Sequence, residues 1–103
     1  MTIPIIRIIH PDGTETPVTV ANRTTLEERR GESVGNRIPY TLHRTLIEVQ
    51  WNGHTGYVLE VIGGGYQAHQ SYQPCNEAGA IYDRPHRHFD DAVAVVMNHV
   101  TPV

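Results

Sequence analysis

Asn52-Gly53 stands between two runs of β-branched and aromatic residues, Thr45 to Trp51 and Tyr57 to Ile62. This constrains the fold more than any other feature of the chain. Asn-Gly supplies the positive φ angles that a tight β-hairpin turn needs, so the segment is read as a hairpin. Ile47, Val49 and Trp51 alternate with Glu48, Gln50 and Asn52, and by parity Tyr57, Leu59 and Val61 return on the same, core-facing side. Parity admits a three-residue loop pairing Val49 with Tyr57, or a five-residue loop pairing Val49 with Leu59. The longer loop sets Glu48 opposite Glu60, a like-charge contact across a ladder. The loop Asn52-Gly53-His54 is therefore expected.

The remaining elements follow from turn and period signals. Residues 3–9, Ile-Pro-Ile-Ile-Arg-Ile-Ile, read as a strand. His10-Pro11-Asp12-Gly13 gives a turn, and Pro17 to Val20 gives the return. Pro4 and Pro17 lack ladder donors, which places this hairpin at a sheet edge. Apolar residues on both faces of the first strand leave one face for an interface and admit a homodimer. Thr24-Thr25-Leu26-Glu27-Glu28-Arg29-Arg30-Gly31 has the cap, acidic residue and terminating Gly of a short helix. Glu32 to Pro39 is read as a connection and Tyr40 to Arg44 as a lead into the main hairpin. After Gly63-Gly64-Gly65, the shared parity of Tyr66, Ala68, Gln70 and Tyr72 fits a further meander strand, and Ala80 to Tyr82 a short one. Phe89, Val93, Val96, Met97 and Val100 repeat at helical spacing, with Asp90 and Asp91 where the helix dipole favours acid. The expected fold is α+β: an antiparallel sheet from two hairpins, with the C-terminal amphipathic helix packed on one face.

Composition bounds the function. A chain of 103 residues suits a single domain, 1–103. No apolar run approaches the ~18 residues of a membrane span, and Pro4 and Arg7 break any signal-peptide pattern. With one cysteine, Cys75, these features lead to an expectation of a cytoplasmic protein with no membrane partner. The net charge is −3 with acidic residues scattered, and all eight basic residues are Arg. That is neither a basic footprint for nucleic acid nor an acidic imitation of it.

Catalytic and metal patterns are thin. His86-x-His88 with Cys75 or His69 could form legs of a zinc site, but the tight ligand pairs of structural zinc are missing, so no metal is expected. Pro74-Cys75 lacks the second cysteine and the His-x-Glu of zinc deaminases. A surface or interface thiol is the expectation for Cys75. His43-Arg44-Thr45 and His99-Val100-Thr101 match the His-x-Thr tripeptides of two-histidine phosphoesterases, which keeps a small metal- or histidine-dependent hydrolase as an alternative. Gly63-Gly64-Gly65 opens no helix that could aim N–H groups at a phosphate. No cofactor and no catalytic residue is assigned.

One segment points to function by composition. Tyr66 to Asn76 mixes Tyr with Gln, Ser and Asn, as protein-binding loops do. The candidate interface is Tyr66, His69, Tyr72 and Asn76, with Arg84 and Arg87 as charged anchors. The strand pair ending at Gly56 to Ile62, followed by Phe89, Asp90, Asp91 and the Ala-rich helix to Val100, resembles small phage-encoded anti-CRISPR proteins. It is also similar to sheet-and-helix antitoxins of the HicB type. The resemblance implies a non-enzymatic protein-binding module, an inhibitor of a host defence complex of the CRISPR type, whose partner is a subunit of that complex. An antitoxin-like regulatory domain is the other reading it implies.

Overall fold

The computed structural model describes residues 5–32, 35, 39–64 and 69–101. Within them the chain forms β1 (Ile5–Ile9), β2 (Glu15–Glu32), β3 (Pro39–Trp51), β4 (His54–Gly64), β5 (His69–Cys75) and α1 (Phe89–Val100). All five strands belong to one antiparallel sheet in the order β1-β2-β3-β4-β5. The α+β class is as expected. The sheet, however, is a continuous meander and not only two hairpins. It curls, because α1 touches β4 and β5 on one side and β1, the opposite edge, on the other. No helix among the described residues is long and apolar enough to cross a membrane.

The central hairpin forms with a register different from the one parity suggested. Its loop is Asn52-Gly53 alone: Trp51 pairs with His54 and Val49 with Gly56. Asn52 takes φ 45° and Gly53 φ 79°, the two left-handed positions that match the twist of paired strands. The two-residue loop also removes the like-charge conflict, since Glu48 opposes Tyr57 and Glu60 opposes Thr45. A one-residue slip moves every side chain of the return strand to the other face. Val58, not Tyr57 or Leu59, therefore joins Ile47 in the core under α1.

That core contains Ile8, Val18, Val20, Ile47, Val49, Trp51 and Val58 from the sheet, with Ala92, Val93, Val96 and Met97 from α1. Burying Val93, Val96 and Met97 contributes roughly 1.5–3 kcal/mol each before entropy is counted. Val100, expected in this stripe, is 40% exposed because it lies in the last turn. Gly56 is a point of close approach between α1 and the sheet. A Cβ there would run into Val96 Cγ1 and lie 3.0 Å from the Trp51 ring. Leu59 is fully buried on the opposite face, in the same register row as Leu46.

The segment expected as a capped helix is strand. Thr24 to Gly31 lies inside β2, paired with Tyr40 to Leu46 of β3. Two turns of helix are marginal alone, whereas pairing with β3 gives the backbone ladder partners on one side along the segment, Leu26 at the irregularity excepted. The charges also suit a strand: Glu27 with Arg29 and Glu28 with Arg30 form ion pairs at 2.8 and 3.7 Å, the i, i+2 spacing of one strand face. Irregularities at Val20/Asn22 and Thr25/Glu27 bend this strand. The outer parts of β2 and β3, with β4 beside them, thus extend as an arm beyond the stretch that β1 covers.

Candidate functional site

Register decides what faces the open side of the arm. Tyr72 of β5 lies opposite Glu60 of β4, which lies opposite Thr45 and then Thr25. This row borders α1, because Phe89 at the helix start packs its ring on Tyr72 with centroids 5.5 Å apart. The next row outward holds Gln70, Ile62, His43 and Glu28, and no described element lies over it. Gln70 Nε2 donates to the Tyr72 hydroxyl at 2.8 Å and to Glu60 Oε2 at 3.2 Å. Burial and then the Glu60 carboxylate push the Tyr72 phenol above its ordinary pKa, while Arg23 partly offsets them. The phenol stays protonated and neutral, a donor and acceptor fixed at the margin of a polar floor.

The backbone beside Tyr72 is also fixed. Tyr72 and His86 exchange two N–H···O bonds of 2.8 Å, so the segment before α1 runs along β5. Within it, His86 Nε2 meets Asp83 Oδ2 at 3.4 Å. The backbone N–H of Arg84, and then His86, hold the Asp83 carboxyl below its ordinary range. Arg84 and Arg87 project into solvent from this braced segment. The Tyr72–His86 bridge therefore sets the backbone of the Arg84–Arg87 segment along the edge of β5 that carries Tyr72.

The other predicted positions are placed differently. His69 is exposed on β5, three residues from Tyr72 and so on the opposite face by alternation. Asn76 follows the end of β5, and its carboxamide oxygen accepts from the N–H groups of Ala78 and Ala80 at 2.9 and 3.0 Å. It closes a turn. Tyr66 lies outside the described residues. Arg23, Glu60 and Gln70 join the floor without having been singled out. Gln70 shares the parity of Tyr72, a signal present in the sequence, whereas Arg23 depends on β2 being strand.

The catalytic patterns do not converge. His43 pairs with Ile62 at the arm end of β4. His99 lines a groove of about 500 Å³ beside Thr55 and Gly56. Gly56 and Ile62 are six strand residues apart, roughly 20 Å, so the two imidazoles cannot face one phosphate. The His99 ring stacks on Tyr82 with centroids 4.1 Å apart. Cys75, expected as a surface or interface thiol, is 2% exposed. Desolvation pushes its thiol up to about 11, so at neutral pH it is protonated and not a nucleophile. Among the described residues no three His, Cys, Asp or Glu side chains gather closely enough to hold a metal ion.

Fold and site together define an α+β protein in which a curled antiparallel meander carries a braced Tyr/Arg border next to an open polar floor. No protein family, no curated protein and no solved structure matches the chain.

Proposed function

We propose that the chain is a non-enzymatic protein-binding module whose contact surface is the border formed by Tyr72, Arg84 and Arg87, with the floor of Arg23, Glu60 and Gln70 beside it. One observation carries the reading: Tyr72 is held on three sides, by Phe89, by Gln70 and by its backbone exchange with His86. An aromatic anchor fixed before binding loses little entropy on association, and Tyr and Arg are the residues most often dominant in interfaces. The resemblance to small phage-encoded inhibitors makes a subunit of a host defence complex the first partner class to assay. The test is affinity capture from the native host with the wild type, Tyr72→Ala and Arg87→Ala. Each substitution is expected to weaken retention of the captured partner by about 5- to 150-fold while leaving the fold intact. Retention unchanged in both folded variants overturns the proposal.

A further inference from the structure

We propose that the outer edge of β2 pairs antiparallel with the same edge of a second copy of this chain, joining two sheets at the tips of their arms. The sheet's edges differ in how they end. Along β5, the bridges Tyr72↔His86 and Cys75↔Ile81 occupy the outer side. Along β2, β1 covers only Glu15 to Thr19, and beyond Thr19 no described strand lies on that side while β3 pairs the other. No proline occurs between Val18 and Glu32, so every residue there keeps its N–H donor. Such an edge is a template for another strand.

Charge argues for the second copy as occupant. Glu27 and Arg29 form an ion pair on one face of β2, and Glu28 and Arg30 form one on the other. A twofold axis perpendicular to the sheet reverses strand direction but keeps each face on its own side. A Glu-x-Arg pair then meets its own copy head to tail. With the axis at Arg29, Glu28 lies opposite Arg30 of the second copy, and Arg30 opposite its Glu28. The shorter ion pair, Glu27 with Arg29 at 2.8 Å, stays within each chain and balances the two central arginines. Only the looser pair, at 3.7 Å, is exchanged. Charges commonly protect an edge from pairing, but such an edge repels its own copy. This one carries equal numbers of both signs: Glu28 and Arg30 oppose across the junction, and each of the two facing Arg29 side chains is offset by its own Glu27. Overlap is limited to the stretch beyond the Thr25/Glu27 irregularity, which keeps α1 and the Tyr72 border of each copy clear of the contact.

Sedimentation of the full chain across a micromolar-to-millimolar series tests this. The mass is expected to rise from 11.6 kDa toward twice that value. Glu28→Arg and Arg30→Glu should each weaken the dimer about 10- to 100-fold by setting like charges opposite one another, and the double swap should restore it. Circular dichroism confirms that the variants are folded. Independently, Arg29→Cys in a Cys75→Ala background should form an intermolecular disulfide on mild oxidation, and Arg23→Cys in that background should not. A wild type monomeric throughout overturns the proposal. So does a dimer indifferent to the single reversals, a double swap that fails to restore it, or equal cross-linking at positions 29 and 23.

Discussion

Replacing Gly56 by alanine tests the register of the central hairpin and the seating of α1 in one step. In a strand interior, exchanging Gly for Ala ordinarily gains about 0.5–1 kcal/mol by reducing the freedom of the unfolded chain. Here the added methyl would run into Val96 Cγ1 and stand 3.0 Å from two carbons of the Trp51 ring. Val96 is fully buried and Trp51 is 4% exposed, so neither can swing into solvent. Overpacking of this kind costs about 1–3 kcal/mol, which leaves a net loss of roughly 0.5–2 kcal/mol. For a domain of this size that lowers the melting temperature by about 2–16 °C. Removing Val96 Cγ1 relieves the conflict, so Val96→Ala should cost less in the Gly56→Ala background than alone, with a coupling of about 1–2 kcal/mol. Thermal melts of the four proteins measure it. Had Val49 paired with Tyr57, position 56 would face away from α1 and alanine would stabilise. A raised melting temperature, or strictly additive effects, would refute both the register and the helix seating.

Gly53→Ala places a Cβ at φ 79° and should cost about 1–2 kcal/mol, read as a lower urea midpoint with an unchanged slope. Cys75 gives a pH signature. Its thiol rises from an ordinary 9.0 to about 11 on folding, so the folded state holds that proton more tightly than the unfolded state. The stabilisation is complete below pH 9 and is lost between pH 9 and 11, by up to about 2–3 kcal/mol. The raised tyrosines Tyr57, Tyr72 and Tyr82 act in the same direction. Cys75→Ala retains them, so the thiol's share is the difference in slope between the two proteins, and identical slopes would contradict it.

The bounds of the helix Phe89–Val100 are legible in the sequence because its apolar period and its acidic first turn agree, although Ala92 rather than Val100 completes the buried stripe. The hairpin was legible in kind but not in register. Val49 and Gly56 make a poor pair when hydrophobic parity is counted, and only the helix packing on Gly56 shows why glycine is there. Thr24 to Gly31 reads as helix in isolation because of its cap residues, Glu and Arg, while the strand partner that decides its state lies some fifteen residues downstream in a segment with no strong pattern of its own. Tyr72 and the two arginines stood out by residue type. Their convergence depends on the Tyr72–His86 bridge, and nothing in the spacing of positions 72 and 86 announces it.

The proposed function requires another protein to sit on the Tyr72 border. Site-specific photo-cross-linking in the native host tests this, with the probe at position 87 next to His86 or at position 12, in the exposed β1–β2 turn at the other end of the strand order. One discrete cross-linked protein is expected from position 87, lost when Tyr72→Ala is added, and none from position 12. Equal products from both positions, or a product at position 87 that persists without the Tyr72 ring, would contradict it.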